Sequence, residues 1–161
     1  MHMFLKRYLT HHRVVKRLLF LILGIIGVFI LLNLGEPTSK PDHRVDTMVS
    51  IAGQELKTMV SKTSYDRSIG LSEHISLAED EAMLFIFDKT GTYSFWMKDM
   101  AFSIDIFWLN ENKEIVSMKE NAHPGDYPAS YKPGVTARYV LETVDGFAEE
   151  YSIQVGTNVD W

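Results

Sequence analysis

The sequence predicts an α+β domain, mostly β. It is read as a small antiparallel, strongly bent sheet or partly closed barrel with two short helices, preceded by one transmembrane helix. Three observations carry this. Every residue from Leu18 to Leu32 is apolar or glycine. Beyond Met48 the apolar residues fall into short runs of strand length, punctuated by turn residues. Only two stretches, Thr63–Gly70 and Asp145–Tyr151, carry helix-capping signatures.

The apolar run comes first in the chain. Spanning a bilayer takes about 20 mostly apolar residues, with a lower limit of roughly 17. Leu34 extends the run beyond Asn33, and Val14 and Val15 lengthen it if Lys16 and Arg17 snorkel to the headgroups. A cleaved signal peptide would end in an Ala-x-Ala-like site, whereas Asn33-Leu34-Gly35-Glu36-Pro37 follows here. A retained anchor is the expectation. Five of the 16 basic residues, Lys6, Arg7, Arg13, Lys16 and Arg17, precede the run, and no acid does. That leaves 11 cations against all 21 acids, so the tail carries +5 and the chain from Glu36 onward −10. Basic flanks stay on the cytoplasmic side. The expected organisation is therefore a basic cytoplasmic tail (1–17), a transmembrane anchor (18–35), a polar tether (36–46) and an extracytoplasmic globular domain (47–161). The protein would be single-pass, with its N-terminus in the cytoplasm and the membrane itself as its first partner.

Within the domain, Met48, Ile51, Leu56, Met59 and Val60 form two runs broken at Gly53-Gln54, a β-hairpin pattern. Thr63-Ser64-Tyr65-Asp66 resembles a capping box, and Gly70 is placed to end a helix of about two turns. Met83–Phe87 is a continuous apolar run, expected as a strand, with a turn at Asp88–Gly91. Tyr93–Lys98 and Ser103–Leu109 are the next strands, Asn110–Lys113 a hairpin turn and Glu114–Met118 a further strand. His123–Gly134 holds three prolines and reads as a loop. Ala137–Thr143 is a strand, and Asp145 is expected to cap a short helix, Gly146–Tyr151, that buries Phe147 and Tyr151. Val155 and Val159 suggest a last edge strand.

Gly70-Leu71, Met83-Leu84-Phe85, Phe95-Trp96-Met97-Lys98, Ile104-Asp105-Ile106-Phe107, Pro124, Tyr139-Val140-Leu141-Glu142, Gly146 and Val155-Gly156 together resemble the family called "domain of unknown function 192". The resemblance runs from about Met48 to the C-terminus. It implies an anchored or secreted domain and brings no established activity. Asp99-Met100 stands where the family usually has Asn-Thr, and Ser103 where it has a proline.

Composition excludes several function classes. There is no cysteine, which removes thiol chemistry and Cys-based metal sites. The acidic domain would repel nucleic-acid phosphates. No phosphate-binding loop, dinucleotide fingerprint or Gly-x-Ser-x-Gly occurs, and no cofactor is implied.

Candidate site residues are then few. Alternation puts Asp105 on a strand that is apolar on both faces, so its carboxylate needs a cation or several donors. Lys98, Arg67 and the amides from Asp99 to Phe102 are the candidate partners, and the alternatives are a pinning network or a functional site. Glu142 is either the second carboxylate of a pair with Asp105, as glycoside hydrolysis requires, or an ion-pair partner of Arg138 or another cation. Trp96, Phe95, Tyr93 and Trp108 are candidate material for a sugar or peptide platform or else core aromatics, and the two-residue period turns only one of Phe95 and Trp96 inward. His74, His123 and Asp126 are a sparse set for zinc, and no metal site is assigned. Two readings stand: an envelope module binding a glycan or protein partner through Trp96, Lys98, Asp99, Asp105, Glu142 and Arg67, and a hydrolase of an envelope glycan with Asp105 and Glu142 as catalytic acids.

Overall fold

The structure, a computed structural model, describes residues 44–161. The anchor at 18–35 and the tether up to residue 43 lie outside the described residues. Among the described residues no helix is long and apolar enough to cross a membrane.

The chain opens with the expected hairpin, β1 (Thr47–Ile51) and β2 (Gln54–Ser61), turned at Ala52 and Gly53, both at positive φ. Helix α1 (Ser64–Ile69) follows. Thr63 caps it with a complete capping box: its hydroxyl accepts from Asp66 N at 3.0 Å, and Asp66 accepts from Thr63 N at 3.3 Å. Gly70, at φ +52 and ψ −132, ends the helix in a backbone region that is essentially glycine's own. The remaining elements are β3 (Glu81–Gly91), β4 (Phe95–Trp96), β5 (Ile104–Leu109), β6 (Ile115–Ala122), β7 (Ser130–Tyr131), β8 (Ala137–Val144), α2 (Phe147–Glu150) and β9 (Val159–Asp160).

Seven strands form one strongly curled sheet in the order β6-β5-β8-β3-β2-β1-β9. The sheet is mixed rather than antiparallel throughout, because β2 and β3 run parallel. A parallel neighbour needs a crossover, and residues 62–80, with α1 inside them, return the chain to start β3 in the same direction. Curling brings the two ends of the sheet together: Glu114, just before β6, makes an antiparallel bridge with Asn158, just before β9. The expected partial closure is thus present, with a bond from Ile115 N to Thr157 O at 2.9 Å beside it.

The two faces of the sheet hold separate cores. The first draws on every strand of the sheet, with Val49, Leu56, Leu84, Phe107, Ile115, Leu141 and Val159, so it fills the inside of the curl, and α2 adds Phe147 and Ala148. The second covers the outer face of the central strands with Met59, Met83, Phe85, Ile106, Trp108 and Val140, packed under Leu71, Leu77 and Met97. Burial on both faces explains the unbroken apolar runs in β3 and β5; every residue of β5 is buried.

Other expectations are corrected. Asp88–Gly91 is not a turn: β3 continues through it past a register shift between Ile86 and Gly91. Tyr93–Lys98 gives only the short β4, which leaves the main sheet and pairs with β7. Asp145 does not cap α2. Gly146 holds the N-cap position at φ +85 without a side-chain bond, and Asp145 instead accepts from Asn121 Nδ2 at 3.0 Å. Val155 is 61% exposed and lies outside the edge strand.

Candidate functional site

Strand register fixes where the two candidate acids point. Met59, Met83, Glu142 and Ile106 align across β2, β3, β8 and β5. The adjacent row is Thr58, Ala82, Thr143 and Asp105. Neighbouring rows face opposite sides of a sheet. Asp105 therefore points into the curl, and Glu142 onto the outer face.

Asp105, 1% exposed, is held by two backbone amides. Its Oδ1 accepts from Asn121 N and its Oδ2 from Ala148 N, both at 2.9 Å. Neither donor is one of the expected partners. The register of β5 on β6 slips between Ile104 and Ile106, and Asn121 turns to φ +48 there, which frees its N–H from the ladder. Ala148 N is one of the unpaired donors of the first turn of α2. Asp105 thus supplies from across the core the N-terminal cap that Gly146 lacks. Lys98 and Arg67 are engaged elsewhere. Because Asp105 and Glu142 open on opposite faces, they do not flank one scissile bond, and the carboxylate-pair arrangement of a glycosidase is not formed by them.

Glu142 floors a cleft of about 460 Å³ on the outer face, between the C-terminal end of α1 and residues 93–100. Trp96, Lys98, Asp99 and Arg67 line the same cleft. It therefore gathers five of the six binding candidates and leaves out only Asp105. Phe85, Phe87, Tyr93 and Phe95 form its aromatic wall. Phe87 and Tyr93 stack with centroids 3.5 Å apart. Phe95 turns inward, edge-on to Phe85 and Trp108 at 5.0 and 5.9 Å, so its neighbour Trp96 turns out, as alternation requires. Trp96 is 57% exposed and meets the exposed Tyr127 edge-on at 6.2 Å.

The charges at the rim are engaged with one another or with backbone. Arg67 lies over the Phe87 ring, 5.1 Å from its centroid, and donates to Ile86 O at 3.1 Å and to Lys62 O. Lys98 and Asp99 face each other at 3.9 Å, both well exposed. Glu142 differs from all of these. It is 5% exposed, and among the described residues its carboxyl has no hydrogen bond and no ion pair. Arg138, its expected partner, donates to Asp88 O instead. Burial among Met83, Ile106 and Val140 pushes the Glu142 carboxyl up to about 8, so it is largely protonated at neutral pH.

His123 and Asp126 serve their own turn. His123 Nδ1 accepts from Gly125 N at 2.9 Å, and Asp126 accepts from His123 N at 3.3 Å and from the Tyr131 hydroxyl. That hydroxyl bond holds Asp126 below the usual carboxylate range. Burial, then the Asp126 carboxylate, pushes Tyr131 up to about 12. His74 lines a separate hollow with Arg44 and Tyr65. Among the described residues no three ligating side chains form a group that could hold a metal ion.

Sequence reasoning overlooked the aromatic wall formed by Phe85 and Phe87, whose continuous apolar run reads only as core, and it overlooked Leu71 and Met100, which lie in connecting segments.

Comparison with known proteins adds the following. The family model DUF192, described as an uncharacterised ACR, matches residues 47–161. No curated protein matches. A solved structure of a protein of unknown function from Novosphingobium aromaticivorans DSM 12444 is similar, at TM-score 0.69 and 23% identity, covering 78% of this chain and 95% of that one. A candidate transcription regulator from Sinorhizobium meliloti 1021 is similar at TM-score 0.65 and 24% identity, covering 70% and 89%. These likenesses carry the fold.

Proposed function

This chain belongs to the DUF192 family of uncharacterised proteins, and from that premise we propose that its domain is a ligand-binding module of the cell envelope. The segment 18–35 holds it outside the cytoplasmic membrane, and its ligand sits in the cleft floored by Glu142. One observation carries the reading: a carboxyl on a side chain 5% exposed, with no protein partner among the described residues, opening at the base of an aromatic-walled cleft. Leaving a polar group buried and unpaired costs a fold about 1–3 kcal/mol, and such groups concentrate where a ligand completes the set. The cleft's size falls within the roughly 300–1,000 Å³ of small-molecule sites. A glycan end group or a peptide side chain of the envelope fits the same description, with Trp96 at the mouth offering a flat apolar surface.

The test is a fragment screen by NMR on the full-length chain in detergent micelles. Fragments should bind and perturb Trp96. Ser94→Trp, which adds a large ring to an exposed cleft residue, should abolish their binding. Fragments that bind with unchanged affinity to Ser94→Trp, or none that perturbs any cleft residue, would overturn the proposal.

A further inference from the structure

We propose that the cleft takes a small, uncharged ring compound bearing an amide group, with the amide paired to the Glu142 carboxyl and the ring against the aromatic wall. This rests on the cleft being a ligand site.

The argument starts from which buried polar groups on the sheet are matched. Asp105 has two amide donors, and Thr58 donates to Leu56 O at 3.0 Å. Glu142 is left open toward the cleft. The charged and titratable groups that line the cleft around it are Arg67 from α1, Tyr93 from the segment before β4, and Lys98 and Asp99 from the segment after it. Arg138 is the further cation of β8. Arg67 and Arg138 donate to main-chain carbonyls, Tyr93 donates to Lys89 O, and Lys98 faces Asp99. No cation of the described domain is thus placed to neutralise Glu142. In such surroundings a carboxyl remains the neutral acid, consistent with its raised pKa.

A neutral carboxyl presents one O–H donor and one carbonyl acceptor in a single plane. Its geometric complement is a primary amide, whose C=O and syn N–H lie side by side in one plane, as acceptor and donor. Neither charged class fits as well. An ammonium ion would have to pass Arg67 and Lys98 and then lose its water among Met83, Ile106 and Phe85. A carboxylate reaching the floor would be repelled as soon as Glu142 ionised. Tyr93, stacked on Phe87, and the exposed Trp96 offer the ring surface that selects for a ring. Two sources share the amide group: an aromatic primary amide, which meets both the O–H and the C=O of the carboxyl, and an acetamido sugar, whose trans amide meets one of them.

The experiment titrates the full-length chain in micelles with benzamide and with N-acetylglucosamine, and with benzylammonium and benzoate as charged ring controls, from pH 5 to 9. At least one of the two amides should bind, and which one does identifies the source. Its affinity should be level below about pH 7 and fall toward tenfold per pH unit above about 8, as the neutral acid is lost. Glu142→Ala should weaken binding at least tenfold. Glu142→Gln, which keeps a planar donor and acceptor, should retain binding and abolish the pH dependence. Tighter binding of benzylammonium, rising up to about pH 8 and lost in Glu142→Gln, would overturn the amide class and leave the cleft as a binding site. Failure of both amides while other fragments occupy the cleft would overturn this inference alone. An empty fragment screen would overturn both readings.

Discussion

Ile106 and Glu142 face each other across β5 and β8, and this pairing places a carboxyl against one of the most completely buried aliphatic side chains of the domain. One residue away on the same two strands, Asp105 pairs with Thr143 and points the other way. A single step of register thus separates an acid satisfied by two amides from an acid satisfied by nothing within the described residues. The first pins two backbone amides, and the second floors the cleft.

Asp105→Ala should therefore destabilise strongly. It orphans Ala148 N in the core and leaves Asn121 N to solvent. At about 1–3 kcal/mol per unpaired buried group, with the lost cap of α2 added, the cost should be roughly 2–4 kcal/mol. Asp105→Asn should cost nearly as much, because its amide turns a donor toward one of two N–H groups. Urea unfolding of both variants checks this, and a neutral result for either would contradict the pinning role.

Ser61 offers the opposite case. Its hydroxyl is buried, and among the described residues it has no hydrogen-bond partner. It lies beside Phe85 in the register of β2 on β3. Ser61→Ala removes a hydroxyl that pairs with nothing, so stability should be unchanged or rise by about 1 kcal/mol. A loss above that size in thermal unfolding would mean that the hydroxyl is paired in solution.

These residues show what was legible in the sequence and what was not. Alternation placed Asp105 in the core and turned one of Phe95 and Trp96 outward, because the two-residue period is local. Thr63 and Gly70 bounded α1 for the same reason. The partners of Asp105 were not legible: they depend on a register slip in β6 and on the docking of α2, both set by contacts distant in sequence. The parallel pairing of β2 with β3 was hidden likewise, since residues 62–80 read as a short helix and loop whichever way the next strand runs. Asp145 looked like a cap because its position suited one. Gly146 at positive φ displaced it, and Asn121 took its carboxylate.

Membrane topology is testable independently of the fold. With five cations before the apolar run and none of the 21 acids, residues 36–161 should face outside. Protease added to intact cells stripped of any outer layer should remove the domain and leave a fragment of the basic tail and apolar segment in the membrane. Protection until lysis would reverse the assignment.

Glu142 should also make stability depend on pH, in a direction opposite to that of ordinary paired carboxylates. Its pKa in the fold, about 8, lies above the ordinary value of 4.5. The folded state therefore holds a proton that the unfolded state releases between those values. Stability rises with pH only where the unfolded state binds more protons; here the folded state binds more. The contribution is fully present below about pH 4.5 and is lost as pH climbs to about 8, beyond which it changes no further. The slope is at most about 1.4 kcal/mol per pH unit, and water entering the cleft will reduce it. Glu142→Gln has no proton to lose, so this slope should vanish. The variant should match the parent near pH 5 and exceed it by several degrees in Tm near pH 8. Thermal unfolding of both proteins across that range decides the point. Parallel curves would mean that Glu142 ionises without cost and has a partner in solution.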